Sequence, residues 1–199
     1  MPADFIFLAS GSPRRHELLL QIGVTVRLLA VVVDETAMPG EEPSSYVTRL
    51  ACAKAEAGWD CCDATAGIPV LAADTAVIIE GSILGKPKDR SEGAAMLGRL
   101  SGRSHEVLTA VALRSGNGLQ SRVSRSVVSF RGIGSSEAAA YWDTGEPCDK
   151  AGGYGIQGLG AVFVANLSGS YSGVVGLPLF ETAQLLDAAG VPRWSLKAP

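Results

Sequence analysis

A chain of 199 residues suffices for one α/β domain or two small lobes around one cleft. Hydrophobic residues at 47% supply a substantial core, while 19% charged residues and a net charge of −3 exclude bulk electrostatic binding to DNA, RNA or an anionic membrane. A local basic cluster for a small anion stays open.

No run is long enough to span a bilayer. Met1-Pro2-Ala3-Asp4 carries an acid where a signal peptide wants base, which predicts no leader. Cys52, Cys61, Cys62 and Cys148 give neither zinc spacing nor a C-x-x-C pair, so reduced thiols in a cytoplasmic protein are expected. His16 and His105 are far apart in sequence, which gives poor support to a His-rich metal site or a Ser-His-Asp triad.

In chain order, Phe5 to Ala9 reads as a buried strand. Ser10-Gly11-Ser12 is a small-residue turn, and Pro13 to Ile22 is a helix with Leu18, Leu19 and Ile22 on one face and Gly23 as its stop. Arg14 and Arg15 lie in the first turn, where the helix dipole disfavours cations. An anion in front of that turn removes the conflict, because free N–H groups, hydroxyls and guanidinium forks suit a phosphate. The alternative is a plain turn with Ser12 as N-cap, Pro13 at N1 and solvated arginines.

Thr25 to Val33 is rich in β-branched residues and reads as a strand ending at Asp34-Glu35. A helix is expected from Ser45 to Trp59, then a hairpin of Val70 to Ile79 and Ile83-Leu84 around Gly81. A helix from Ser91 to Leu100 follows, then strands His105 to Arg114 and Gln120 to Phe130 joined at Asn117-Gly118. A short helix, Glu137 to Thr144, precedes a glycine-rich stretch, a strand Ala161 to Leu167, and a last helix Leu179 to Ala189. The mixture of βα units and hairpins predicts a mixed sheet covered by helices, with the strands around Ile83 and Asn117 as a second lobe.

Polar residues break the apolar pattern at informative places. Asp74 interrupts the apolar run from Val70 to Ile79; such a carboxylate must be paired, metal-bound or facing a cleft, unless a bulge brings it to solvent. Lys54 falls seven residues after Val47 and four after Leu50, so it continues the apolar stripe of its helix. Its ammonium either snorkels past the core or enters the same cavity as Asp74. Glu35 ends a strand, where α/β proteins place ligands; with Asp74 it suits Mg²⁺, and alternatively Asp34-Glu35 is a solvated acidic pair. Lys86 sits between Gly85 and Pro87, a constrained turn.

The run Leu8-Ala9-Ser10-Gly11-Ser12-Pro13-Arg14-Arg15 resembles the opening motif of the Maf-like nucleotide pyrophosphatases. Asp34-Glu35, Ala73-Asp74-Thr75, Gly85-Lys86-Pro87, Ser101-Gly102-x-x-His105, Asp149-Lys150-Ala151-Gly152, Tyr154-Gly155-Ile156-Gln157-Gly158 and Val174-Val175-Gly176-Leu177-Pro178 follow in family order. The resemblance covers nearly the whole chain and implies a single domain over residues 1–199. The implied fold is an elongated mixed α/β structure, a twisted sheet flanked by helices with two lobes around a deep cleft, like the inosine triphosphate pyrophosphatases. The implied reaction is hydrolysis of a nucleoside triphosphate to the monophosphate and pyrophosphate with a divalent metal, Mg²⁺ or Mn²⁺.

Arg14, Thr75 and Gln157 together resemble the dTTP/UTP pyrophosphatase branch, in which they act in substrate specificity. Ser10, Ser12, Arg15, Lys54 and Lys86 are the phosphate-binding set. Asp74 is either the base that activates water at the α-phosphorus or chiefly a metal ligand, with Glu35 as the other ligand. The Gln157 carboxamide can donate to a pyrimidine carbonyl and accept from N3–H; flipped, it can pair with cytosine. Two other readings stand beside this one: a pyrophosphatase for 7-methyl-GTP or another modified nucleotide, and a nucleotide-binding regulator of septum formation, a process the family name carries. The expected partner is the nucleotide substrate, without polymeric nucleic acid or membrane; a homodimer stays open.

Overall fold

The computed structural model describes residues 5–62 and 67–194. The first four residues, on which the expectation of no leader rests, lie outside those described. The strands are β1 (Ile6–Leu8), β2 (Val26–Leu28), β3 (Val70–Ile79), β4 (Ser82–Leu84), β5 (Ser104–Ser115), β6 (Gly118–Phe130) and β7 (Val164–Ser168). The helices are α1 (Pro13–Gln21), α2 (Pro43–Asp60), α3 (Arg90–Leu100), α4 (Ser135–Trp142), α5 (Tyr171–Val175) and α6 (Leu179–Ala188). Strand order in the sheet is β2-β1-β3-β5-β6-β7, with β4 hydrogen-bonded to β3. β1 is parallel to β2 and β3, whereas β4 on β3 and β7 on β6 are antiparallel, so the expected mixed α/β sheet is present.

The chain divides into two compact units. The first comprises Met1–Asp74, Thr109–Ser124 and Gly176–Pro199; the second comprises Thr75–Leu108 and Arg125–Val175. The hairpin tip at Asn117 therefore belongs to the first unit, not to a second lobe with Ile83 as the sequence suggested.

In the first unit, α2 buries Val47, Leu50, Ala51, Ala55 and Gly58, the stripe its 3.6-residue period draws. Gly58 brings the helix close to the sheet: a Cβ there would lie 2.8 Å from Val70 Cγ1 and 3.1 Å from Ala9 Cβ. β2 is shorter than the expected Thr25 to Val33, because β1 offers only three residues of ladder, Ile6↔Val26 to Leu8↔Leu28. Beyond the last bond, from Leu29 N–H to Leu8 O, the chain leaves the sheet and Val32 is exposed.

In the second unit, Glu80 and Gly81 both take positive φ (52° and 74°), the conformation that turns β3 tightly into β4. Asp89 caps α3 by accepting from Glu92 N–H at 2.9 Å. α3 packs on α4 through Gly93, where a Cβ would lie 2.4 Å from the Trp142 ring. The core gathers Leu97, Leu100, Val128, Phe130, Tyr154 and Phe163.

The expected strand from Ala161 starts later. Leu159–Phe163 is a 3-10 turn, and pairing with β6 begins at Phe130↔Val164. The short α5 was not foreseen. The four cysteines are free. Among the described residues no helix is long and apolar enough to cross a membrane.

Candidate functional site

Asp74 closes the first unit's part of β3 and is 8% exposed, in a strand whose neighbours are almost all buried apolar residues. Lys54 reaches it from α2, with Nζ 2.7 Å from Asp74 Oδ1 and 2.6 Å from Glu35 Oε1. Lys54 and Asp74 are largely buried, while Glu35 is more than half exposed. One ammonium thus bridges two carboxylates, the charge pairing that a buried acid requires. Burial still lifts the Asp74 carboxyl above the ordinary carboxylate range, against the pull of Lys54 and Arg15 and with a push from Glu35.

The turn before α1 supplies the next groups. Ser10 is buried; its Oγ accepts from Ser12 N–H at 3.2 Å and from Arg15 Nη1 at 3.0 Å. Arg15 also donates from Nε to Gly176 O at 2.8 Å, which ties α1 to the segment leading into α6. The Arg15 pKa moves down through desolvation, opposed by Asp74 and aided by Arg14. A guanidinium keeps its proton regardless, so Arg15 is a fixed cation. Ser12 stands at the N-cap of α1, yet its side chain makes no capping bond.

A clamp holds the Glu35 loop, and no periodicity in the sequence announces it. Arg49 on α2 forks onto Glu41, Nε to Oε1 and Nη2 to Oε2, both at 2.7 Å. The same Nη2 donates to Thr36 O at 3.1 Å, and Tyr46 Oη donates to Glu35 O at 3.0 Å. Arg49 holds the Glu41 carboxyl down at about 2, so the clamp stays charged at neutral pH. Asp34, the other half of the acidic pair, accepts from Thr36 N–H at 2.9 Å and closes a local turn instead of facing Lys54.

Arg14 precedes Arg15 on α1 in the first unit, whereas Thr75, Lys86 and Gln157 lie in the second. Thr75 follows Asp74 in β3 and so points to the opposite face of the sheet. Lys86 is exposed between Gly85 and buried Pro87, on a turn fixed by a bond from Gly152 N–H to Gly85 O at 3.0 Å. Gln157 is exposed on the glycine-rich stretch after Tyr154. Tyr154 is anchored in the core through a 2.8 Å bond between its Oη and His105 Nε2, with Phe130 packed edge-on against both rings.

Among the described residues no three His, Cys, Asp or Glu side chains converge. Glu35 and Asp74 offer hard oxygens joined by one ammonium. That is too few for a protein cage, but it suits a divalent cation that keeps waters and takes further oxygens from phosphates.

A family model described as "Maf-like protein" matches residues 5–189. A protein of Saccharophagus degradans named dTTP/UTP pyrophosphatase is 55% identical, over 98% of this chain and 93% of its own. Another of that name, from Aromatoleum aromaticum, is 53% identical over 94% of this chain and 96% of its own. A solved structure of a nucleoside-triphosphatase / dITP/XTP pyrophosphatase from Mycobacterium abscessus covers 92% of this chain and 93% of its own, with 20% identity and a TM-score of 0.45. The chain belongs to the Maf-like protein family.

Proposed function

We propose that this protein is a nucleoside triphosphate pyrophosphatase acting on dTTP and UTP, as one catalytic domain in the cytoplasm. The observation that carries the reading is a buried carboxylate, Asp74, lifted in pKa and held by Lys54 beside Arg15 and Ser10. It is supported by relatives named dTTP/UTP pyrophosphatase at 50–55% identity.

In this reading Arg15, Lys54, Ser10, Ser12 and Lys86 hold the triphosphate, and Asp74 accepts a proton from a water that attacks the α-phosphorus. The bond from that phosphorus to the α–β bridging oxygen breaks, and pyrophosphate leaves with the bond's electron pair. A positioned base contributes about 10²–10⁴-fold. Glu35 and Asp74 are the residues to hold Mg²⁺ or Mn²⁺, which supplies charge neutralisation on the phosphate oxygens.

Arg14, Thr75 and Gln157 select the base. Gln157 is the residue to meet the acceptor–donor edge of thymine or uracil, and Arg14 repels the cationic ring of 7-methylguanine. Product identification across a panel of triphosphates, with and without Mg²⁺ and Mn²⁺, tests the assignment. The expected result is metal-dependent release of pyrophosphate from dTTP and UTP far ahead of 7-methyl-GTP; the reverse order overturns the substrate assignment.

A further inference from the structure

Glu146 opens a 3-10 turn, Glu146–Asp149, directly after Gly145, whose φ of 77° turns the chain back from α4. Its carboxylate takes three donors. Oε1 accepts from Tyr141 Oη at 2.7 Å and from Gly160 N–H at 2.9 Å, and Oε2 accepts from Leu159 N–H at 2.8 Å. Tyr141 Oη in turn accepts from Gly155 N–H at 3.1 Å. Both ends of the 155–160 segment are therefore tied to one Tyr–Glu pair, and Gln157 stands on the arch between them.

The base of the arch is closely packed. Tyr141 is 5% exposed and packs edge-on against Phe163, with centroids 5.0 Å apart. Lys150 Nζ donates to Glu146 O at 2.8 Å and pairs with Asp149 at 2.7 Å. Three glycines let the backbone close on these groups. A Cβ on Gly158 would lie 2.1 Å from Glu146 Oε2, one on Gly160 2.6 Å from Tyr141 Oη, and one on Gly155 2.8 Å from Lys150 Cε. Burial pushes the Glu146 carboxyl up, but its hydrogen bonds and Lys150 outweigh that and leave it below the ordinary range, ionised at neutral pH.

We propose that Glu146 and Tyr141 are positioning residues for base selection, fixing the arch so that Gln157 meets the substrate base from one preset place. The proposal rests on the reading of Gln157 as the residue that contacts the base. A carboxamide pairs with thymine in one orientation and with cytosine in the other, so its discrimination depends on where the backbone holds it. An arch that must order itself on binding loses affinity for the preferred base, while the reacting groups, carried by the first unit, keep their own supports. The loss therefore falls on KM and on base preference more than on kcat.

The test compares Glu146→Gln, Gln157→Ala and the double variant with the parent protein. It measures kcat and KM for dTTP and dCTP, and hydrogen exchange at the Leu159 and Gly160 amides. The expected result is that Glu146→Gln lowers the preference for dTTP about tenfold, the scale of one well-placed hydrogen bond. The effect is expected mostly in KM, with faster exchange at both amides. In the Gln157→Ala background, Glu146→Gln should change the preference no further. Tyr141→Phe should move the same quantities in the same direction by less.

An unchanged dTTP preference in Glu146→Gln, beside a lost preference in Gln157→Ala, overturns the positioning role and leaves the base-reading role standing. An unchanged preference in Gln157→Ala overturns the base-reading role, and the proposal with it. A loss confined to kcat, with KM and preference unchanged, also overturns the proposal.

Discussion

Asp74 and His105 are buried to similar degrees, 8% and 2% exposed, on strands that pass through the two units, yet their surroundings treat charge in opposite ways. Asp74 is given an ammonium, a guanidinium and a second carboxylate within interaction range. His105 is given rings. Phe130 and Tyr154 pack edge-on against it, its Nδ1 has no hydrogen-bond partner among the described residues, and burial drives its pKa down to about 4. The first arrangement keeps charges in the interior at a cost in desolvation; the second discards charge and keeps only shape and one hydrogen bond. A fold with no use for charge at Asp74 has the cheaper solution of His105 at hand. On that difference we propose a chemical role for Asp74 and an architectural one for His105.

Removing the charge at Asp74 should cost most. Asp74→Asn keeps the shape and removes the charge. Turnover of dTTP should fall about 10²–10⁴-fold, measured by pyrophosphate release. Because burial raises this carboxyl's pKa, its ionised form opposes folding, so the Tm should hold or rise. A falling Tm with modest loss of turnover would recast Asp74 as structural.

Next comes the ammonium. Lys54→Met leaves Asp74 and Glu35 facing each other without their shared cation. Stability should drop on the order of 3 kcal/mol in denaturant titration. Adding Asp74→Asn to Lys54→Met should restore much of it, since the uncompensated charge is then gone.

His105 gives the pH arm. Its folded pKa of about 4 lies below the ordinary 6.5, so the unfolded chain binds a proton first as pH falls. Stability from this group is intact above about 6.5 and is lost as pH drops toward 4, at up to about 1.4 kcal/mol per unit. His105→Gln retains a side-chain nitrogen to reach Tyr154 and no longer titrates. It should flatten the Tm loss between pH 6.5 and 4.5 while leaving dTTP turnover nearer the parent than any Asp74 variant; an equally steep loss contradicts the assignment.

The smallest effect is at the Glu35 loop. Arg49→Lys cannot fork onto Glu41 and reach Thr36 O together. The KM for dTTP should rise by no more than about fivefold, the scale of one ion pair near the surface.

The sequence showed these places unevenly, for physical reasons. Asp74 and Lys54 were visible because each breaks an apolar period, and periods of two and 3.6 dictate which side chains face inward. The β3–β4 turn was visible because a tight turn needs positive φ and Gly81 offers it without cost. β2 was overestimated because strand length depends on the ladder its neighbour provides, and β1 stops at Leu8. The strand expected from Ala161 starts only at Val164 because Leu159 and Gly160 give their N–H groups to Glu146, and Ala161 N–H turns back to Gly158 O. The Arg49–Glu41 clamp and the Glu146 anchor bind backbone groups of irregular loops, and no side-chain periodicity reports where such groups point.

Hydrolysis of dTTP in ¹⁸O-labelled water shows which phosphorus the water attacks. The label should enter dTMP and not pyrophosphate, at a rate that Asp74→Asn reduces at least about a hundredfold with dTTP still bound. Label in pyrophosphate would place the attack on the β-phosphorus, and an undiminished rate in Asp74→Asn would remove Asp74 from the chemistry.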